Sequence, residues 1–159
     1  MSPPASGSVE VVTGRQDPVA VERLLRALPD WFGIEESVQQ YVEDSRTKPT
    51  YLAVDRTSSD VLGVLVVTAH SAQSAEIHVM AVTPDHHRQG IGRILVTAFE
   101  TDMAAAGVRV LQVKTQGPSR SDEAYGKTLR FYLAMGYIPL EELHGLWAED
   151  PCLILVKAL

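Results

Sequence analysis

The stretch HHRQGIGRIL, residues 86–95, places two glycines among basic side chains, directly before an apolar run with helical spacing. Glycine lets a backbone approach a ligand closely, and the first turn of a helix offers free N–H groups and the positive end of the helix dipole. The basic side chains are His86, His87, Arg88 and Arg93. These features favour an anion with two adjacent charges and predict a diphosphate site at residues 87–93, which we name the glycine turn. An ordinary helix entry with surface cations is the alternative.

A dinucleotide-binding fingerprint is met only in part here. Gly90 and Gly92 fit its G-x-G-x-x-G pattern, but Leu95 stands at the third glycine. The segment between Val82 and Gly90 is also too long and too charged for the tight step from strand to glycine that this motif needs. The sequence therefore argues against a dinucleotide-binding fold.

A P-loop pattern is also met in part, at residues 121–128. Its Gly-Lys-Thr ending is present, but Ser121 replaces the leading glycine. Asp122 and Glu123 would place two negative charges against the phosphates. This motif is rejected as well, so the glycine turn remains the candidate phosphate site.

Hydrophobic periodicity predicts the elements that must position this turn. The predicted helices cover residues 18–28, 36–45, 90–106 and 124–135, the first capped by Asp17 with Pro18 at its first position. The predicted strands cover residues 9–13, 50–55, 61–70, 75–82, 108–115, 137–140 and 151–159. The order β-α-α-β-β-β-α-β-α-β-β predicts an α/β class fold, with helices on the faces of a mixed (α+β) sheet.

With this arrangement the chain resembles the GNAT family of N-acetyltransferases. The family's acetyl-CoA motif, Gln/Arg-x-x-Gly-x-Gly/Ala, lies between a central strand and a long helix, and here it reads HRQGIG. His87 stands where the family usually has Gln or Arg. The block LRFYLAMGYIPLEE, residues 129–142, is similar to the family's late motif, an aromatic pair in a helix followed by Gly and an aromatic. Since the element order also agrees, the resemblance covers nearly the whole chain from Val9.

The resemblance implies a GNAT-like acyl-CoA N-acyltransferase fold and an enzyme that moves an acetyl group to a primary amine. It implies acetyl-CoA as the cosubstrate and direct transfer within a ternary complex. A non-catalytic acyl-CoA-binding sensor or partner module is the alternative. Coenzyme contacts are expected from a strand backbone and from the glycine turn, at Met80, Ala81, Val82, His87, Arg88, Gln89, Gly90, Ile91, Gly92 and Arg93.

Acetyl transfer needs a base for the amine and an acid for the leaving thiolate. Glu76 lies as far upstream of Gly90 as the catalytic Glu in the family's histone-modifying branch, which implies that it is the base. His78 shares its face of the strand, and we expect it to pair with the Glu76 carboxylate, with either group acting directly or through a water. Tyr132 falls where many members keep a tyrosine near the coenzyme sulfur, and a protonated phenol can donate to that sulfur. A solvated strand-edge pair and a core tyrosine are the alternatives.

Aromatic side chains mark two loops, residues 28–36 and 141–150, past which the acceptor enters in this family. Trp31, Phe32 and Trp147 stand there among acidic residues. Such loops suit a small amine with an apolar body, although the two tryptophans could equally cap the core. We expect a small-molecule amine rather than a protein, with an antibiotic, a polyamine, an amino acid or a protein N-terminus all open.

Bulk properties exclude several classes of function. The 159 residues carry a net charge of −6, which argues against general nucleic-acid binding. The longest apolar run, residues 61–69, is too short to span a bilayer, and residues 1–8 show no secretory pattern. We therefore expect a cytoplasmic protein without membrane attachment.

Residues 1–8 are predicted to be a disordered tail, and residues 9–159 a single domain that could form a homodimer. Cys152 is the single cysteine and lies in an apolar strand, so it is interpreted as a small buried hydrophobe. No Cys/His set has the spacing of a zinc site, so no metal is expected.

Overall fold

The structure is a computed structural model that describes residues 8–120, 122–148 and 150–159. Its elements are β1 (Val9–Val12), α1 (Pro18–Arg26), α2 (Glu35–Asp44), β2 (Thr50–Asp55), β3 (Val61–Ser71), β4 (Ser74–Val82), α3 (Ile91–Ala105), β5 (Val110–Gln116), α4 (Glu123–Ala134), β6 (Ile138–Leu143) and β7 (Cys152–Ala158). A short 3₁₀ turn, Pro84–His86, lies between β4 and α3. The predicted order of helices and strands is confirmed.

The strands form one sheet in the order β1-β2-β3-β4-β5-β7-β6. Pairing is antiparallel between β1 and β2, β2 and β3, β5 and β7, and β6 and β7, and it is parallel between β4 and β5. The parallel step is the one that needs a long crossover, and α3 supplies it. This confirms the predicted mixed sheet of an α/β fold.

Within the described residues the chain groups into two compact units. The first comprises the chain up to Thr68 together with His78–Asp102, and the second comprises Ala69–Ile77 together with Met103–Leu159. Of the predicted N-terminal tail, residues 1–7 lie outside the described residues. The carbonyl of Ser8 accepts a hydrogen bond from the amide of Arg56 at 2.8 Å.

In the first unit α1 begins as its sequence predicts. The Asp17 side chain accepts a hydrogen bond from the Ala20 amide at 3.0 Å, and Pro18 occupies the first helical position. The apolar face of α1 belongs to a core cluster together with strands β2 to β4. Its buried members are Ala20, Val21, Leu24, Leu25, Leu28, Val38, Leu52, Val54, Val61, Val64, Val66, Val79 and Ala81.

The start of α3 lies close against β3 because Gly63 carries no side chain. A Cβ atom at Gly63 would lie only 3.1 Å from Cγ2 of Ile91 and 3.1 Å from Cδ1 of Leu95. Both of these side chains are buried. The contact fixes the first two turns of α3 on the sheet, and it thereby sets the position of the glycine turn that precedes them.

In the second unit α4 begins at a capped N-terminus rather than at a phosphate-binding loop. The Asp122 side chain accepts hydrogen bonds from the amides of Ala124 and Tyr125. Gly126 lies within the helix. This carboxylate occupies the helix N-terminus that an anion would need, which agrees with the rejection of a P-loop; Ser121 itself lies outside the described residues.

The prediction of a late loop at residues 141–150 is wrong for residues 141–143. Strand β6 continues to Leu143, which pairs with Cys152 of β7. Glu141 and Glu142 are therefore strand residues, whereas residues 144–148 are irregular. β6 is an edge strand with mostly exposed side chains, so its charged residues resembled a loop in the sequence.

Cys152 is fully buried in β7, as its apolar surroundings in the sequence predict. Burial raises the pKa of its thiol above the ordinary value. Among the described residues, no helix has the length and apolar character needed to cross a membrane.

Candidate active site

The glycine turn has the backbone geometry that its glycines predict. Arg88 and Gly90 both have positive φ, at 63° and 81°. The Ile94 amide donates to the Gly90 carbonyl at 3.0 Å, so Gly90 is the last residue before α3. The amides of Ile91, Gly92 and Arg93 form the first turn of α3, where N–H groups have no partner within the helix. These donors and the positive end of the helix dipole suit a bound diphosphate.

The space in front of Gly90 is open. A Cβ atom built on Gly90 meets no protein atom within 4 Å, and the residue is exposed. A ligand can therefore approach the backbone at this point, which is the test that a coenzyme diphosphate must pass. The side chains of Arg88 and Arg93 are also exposed and add positive charge beside the turn.

His87 is held by the protein itself. Its Nε2 lies 2.7 Å from the carbonyl oxygen of Val82, and a carbonyl can only accept, so this nitrogen donates. The ring also meets Trp31 edge to face, with centroids 5.9 Å apart. His87 therefore ties the glycine turn to the end of β4, and only its Nδ1 remains to contact a ligand.

Two polar atoms near the turn are buried without a hydrogen-bond partner among the described residues. They are Nδ1 of His86 and Oε1 of Gln89. The Nε2 atom of Gln89 donates to the carbonyl of Asp85 at 3.4 Å, which is a long contact. Unpaired buried polar atoms are unfavourable, so this loop is suited to gaining a polar partner on binding.

The predicted coenzyme-facing residues Met80, Ala81 and Val82 form the last part of β4. Pairing of β4 with β5 covers Ser74–Ile77, and the strand runs on to Val82. Ala81 is buried, whereas the side chains of Met80 and Val82 are half-buried. The next amide, that of Thr83, donates to the carbonyl of Leu62 at 2.8 Å and fixes the strand end.

Glu76 does not pair with His78, so that part of the sequence prediction is wrong. Glu76 is buried, with only 7% of its side chain exposed. It accepts hydrogen bonds from Gln112 at 3.0 Å and from Lys114 at 3.3 Å, and its Oε1 lies 2.6 Å from Nε2 of His70. Gln112 is the register partner of Glu76 in β5, and directly opposed side chains lie closer together than residues two apart in one strand.

His78 pairs instead with a carboxylate from α2. Its Nε2 lies 2.8 Å from Oδ2 of Asp44, and the side chains of both residues are 23% exposed. The ring of Tyr41 meets the imidazole edge to face at a centroid distance of 5.3 Å. Two residues of α2 therefore hold the imidazole in one orientation.

Tyr132 is buried in the second unit, with 4% of its surface exposed. Burial raises the pKa of its hydroxyl above the ordinary value, so the phenol stays protonated at neutral pH. Its ring packs against Phe131 and Tyr137 at centroid distances of 5.1 and 5.6 Å. This environment fits both a proton donor and a core tyrosine, the two interpretations of the sequence.

The aromatic residues predicted to meet the acceptor have structural contacts as well. Trp31 and Phe32 are partly buried and pack against the core cluster of the first unit. Phe32 also meets Tyr41 edge to face at 6.1 Å. Trp147 is half-buried in the irregular segment after β6.

Many acidic side chains of the two acceptor loops already have partners. Arg26 donates to Glu35 through two nitrogens and lowers the pKa of that exposed carboxyl to about 2. Hydrogen bonds from the Ser119 hydroxyl and amide lower the pKa of Glu142. The Asp150 carboxylate is bound by Arg120 and Gln116, and Glu149 lies outside the described residues. The arginines neutralise Glu35 and Asp150, whereas the hydrogen bonds from Ser119 keep Glu142 ionised.

The structure adds residues that the sequence analysis missed. Gln112 and Lys114 alternate with apolar residues in β5, which is a signal that one face of this strand is polar. The sequence therefore indicated a polar face on β5, but it did not indicate that this face contacts Glu76. Asp44 and His70 gave no signal at all. In the described part of the chain, no group of three His, Cys, Asp or Glu side chains could hold a metal ion.

Solved structures share the fold of this chain. A GNAT-family protein from Desulfovibrio desulfuricans has a TM-score of 0.81 and 20% identity, covering 94% of this chain and 98% of its own. An aminoglycoside 6′-N-acetyltransferase complexed with coenzyme A has a TM-score of 0.72 and 19% identity, covering 94% and 96%. The NatC complex bound to Gag peptide and CoA has a TM-score of 0.68 and 18% identity, covering 96% and 99%. At such identities the likeness establishes the fold.

A family model settles the membership. No curated protein sequence matches the chain. Residues 46–139, more than half of the chain, match the model of the acetyltransferase (GNAT) domain. That match spans the glycine turn and Tyr132, the two features on which the predicted resemblance depended. The chain therefore belongs to the GNAT family of acetyl-CoA-dependent N-acetyltransferases.

Proposed function

We propose that this enzyme transfers the acetyl group of acetyl-CoA to the primary amine of a small molecule, by direct attack within a ternary complex. The observation that carries the proposal is the glycine turn, where open space in front of Gly90 meets the free amides of α3. These amides, with Arg88 and Arg93, would hold the diphosphate of the coenzyme. The backbone of β4 from Met80 to Val82 would pair with the pantetheine amides as an added strand does.

The chemistry requires one proton to leave the amine and one to reach the sulfur. A side chain of β4, Glu76 or His78, would take the proton as the nitrogen attacks the thioester carbonyl. A backbone N–H within residues 80–82 would stabilise the charge that develops on the carbonyl oxygen. The C–S bond then breaks, and Tyr132 would donate its proton to the thiolate.

Direct transfer is favoured because the chain offers no suitable cysteine nucleophile. Cys152 is fully buried, and burial raises the pKa of its thiol. A thiol is nucleophilic as the thiolate, so this environment disfavours an acetyl-cysteine intermediate.

A small amine with an apolar body fits the acceptor side better than a polycation. Trp31 lies edge-on against His87 of the glycine turn, which sets an aromatic surface beside the proposed coenzyme site. Glu35 and Asp150 already have arginine partners, which neutralise part of the negative charge that several ammonium groups would need. Aromatic faces attract a single ammonium with its hydrocarbon body.

The test combines thermal shift with a thiol-release screen. We expect acetyl-CoA and CoA to raise the melting temperature and ATP to have no effect. Among phenethylamine, tyramine, spermidine, kanamycin and a peptide that starts with alanine, the aromatic amines should release thiol fastest. Stabilisation by CoA without thiol release from any amine would support the non-catalytic binding module. Stabilisation by ATP alone would contradict the coenzyme site.

A further inference from the structure

We propose that His78, oriented by Asp44, accepts the proton of the attacking amine, and that Glu76 has a structural role instead. This assignment rests on the proposed function and narrows its two candidate bases to one. The structure contains two imidazole–carboxylate pairs that involve β4, namely His78 with Asp44 and His70 with Glu76. In the first the imidazole lies on β4, and in the second the carboxylate does.

The His78 pair has the geometry of an oriented base. Asp44 occupies Nε2 at 2.8 Å, so Nε2 carries the hydrogen and Nδ1 keeps its lone pair. Tyr41 packs edge-on against the ring and limits its rotation. The His78 side chain is 23% exposed, so a solvent-borne molecule can reach it.

The Asp44 carboxylate is ionised when it performs this role. Burial alone would raise its pKa, but it is outweighed by hydrogen bonds from Gln40 and His78 and by the charges of His78, once its ring is protonated, and of Lys48, so the pKa is lowered. A carboxylate at Nε2 stabilises the imidazolium that forms when the ring takes a proton. Asp44 therefore acts through His78 and is a positioning residue, whereas His78 is the catalytic one.

Hydrogen-bond donors crowd the Glu76 carboxylate, and most of them contact Oε1. Four contacts from three side chains surround its two oxygens: one from His70, one from Gln112 and two from Lys114. Only 7% of the side chain is exposed. The lone-pair site that remains, on Oε2, is buried beside the Lys114 ammonium, so an amine has poor access to it. The cluster instead anchors β4 to β5.

The proposed step balances in atoms and charge. A neutral amine attacks the thioester carbonyl through its lone pair and forms a C–N bond. One N–H proton passes to Nδ1 of His78, and the C–S bond breaks as the thiolate leaves with its electron pair. The thiolate takes the proton of Tyr132, and solvent restores that proton as His78 returns its own to water. The products are the N-acetylated amine and free CoA.

Four variants test the assignment, with the amine that releases thiol fastest in the screen as acceptor. His78→Gln should lower kcat by about 100-fold. It should also remove the limb on which kcat/KM rises with pH. Asp44→Asn keeps the shape but not the charge, so the imidazolium that forms during transfer is less stable and kcat should fall about tenfold. Asp44→Glu should restore most of the activity. Glu76→Gln should leave the limb in place.

Controls separate catalysis from folding. Asp102 accepts a hydrogen bond from the Tyr51 hydroxyl at 2.9 Å, so Asp102→Asn removes a comparable carboxylate partner in the same unit. It should leave both kcat and the pH limb unchanged. Every variant should bind acetyl-CoA with nearly the wild-type Kd. NMR spectra of the ring nitrogens give a readout without turnover, in which Asp44→Asn should change the chemical shifts of one imidazole and Asp102→Asn should not.

The outcomes distinguish this assignment from the proposed function. If Glu76→Gln removes the pH limb while His78→Gln keeps it, Glu76 is the base and the assignment is wrong. An active wild-type enzyme whose limb survives both substitutions would refute it in favour of ordered water. A wild-type protein that releases no thiol with any amine would refute the proposed function, and the assignment with it.

Discussion

Replacing Gly90 by aspartate and by asparagine tests the diphosphate site through charge alone. Gly90 has a φ of 81°, and Asn and Asp are the non-glycine residues that best tolerate this region. Either side chain enters space that is open for at least 4 Å around a Cβ atom, so neither clashes with the protein. Both variants should therefore lose a similar amount of stability, about 1 kcal/mol, which corresponds to about 2–4 °C in melting temperature.

The two variants should differ strongly in their affinity for acetyl-CoA. A carboxylate about 6 Å from a phosphate repels it by about 0.7 kcal/mol at the dielectric constant of water and about 3 kcal/mol at an effective value of 20. Gly90 is exposed, so the real energy lies between these limits. Gly90→Asp should thus have a Kd about 3- to 150-fold higher than Gly90→Asn. The difference should shrink as salt rises.

Isothermal titration with acetyl-CoA at low and high salt measures this difference. Gly107 is a matched control because it also has a positive φ, 88°, with no atom within 4 Å of a Cβ position. Its Asp and Asn variants should lose similar stability but bind acetyl-CoA equally well. Equal Kd values for the two Gly90 variants would refute a diphosphate at the glycine turn.

Three further predictions follow from the buried groups. Tyr132→Phe removes the proton donor but keeps the ring packing, so kcat should fall about 100-fold while the acetyl-CoA Kd stays within about twofold. Steady-state thiol release measures kcat and titration calorimetry measures Kd; an unchanged kcat would exclude the acid role. Cys152→Ala should keep its kcat and lose about 1–2 kcal/mol of unfolding free energy in urea, whereas loss of turnover in the folded variant would indicate a covalent intermediate. Burial raises the pKa of Tyr132, and burial together with Asp102 raises the pKa of Tyr51. The stability that these two protonated phenols contribute is therefore present below about pH 10 and is lost as pH rises above that value. Urea unfolding between pH 9 and 11 should show a smaller loss in Tyr51→Phe, and an identical slope would contradict this linkage.

The helices and strands could be predicted because their signals are local. The apolar spacing of α1 and its Asp17-Pro18 start depend on residues within one or two turns, and the structure places both as expected. The boundary of β6 was missed because an edge strand has a polar, exposed pattern. Its extension to Leu143 depends on pairing with Cys152, nine residues further on.

The partners of the candidate catalytic groups could not be predicted in the same way. Glu76 and His78 share a face of β4, so a pairing between them was reasonable from the strand period. Residues two apart in a strand lie farther from each other than from a residue directly across on the next strand. The register that opposes Gln112 to Glu76, and the packing that brings Asp44 to His78 from 34 positions away, come from long-range structure.

The sequence by itself determined the order of elements, the glycine turn and the family, because each depends on residues that are close in the chain or on a motif within one segment. The tertiary structure alone decided which side chains meet: Lys114 with Glu76, Asp44 with His78, and Trp31 with His87. The physical reason is that a hydrogen bond or ring contact needs atoms within a few ångströms, and only the packed sheet and helices bring distant parts of the chain that close.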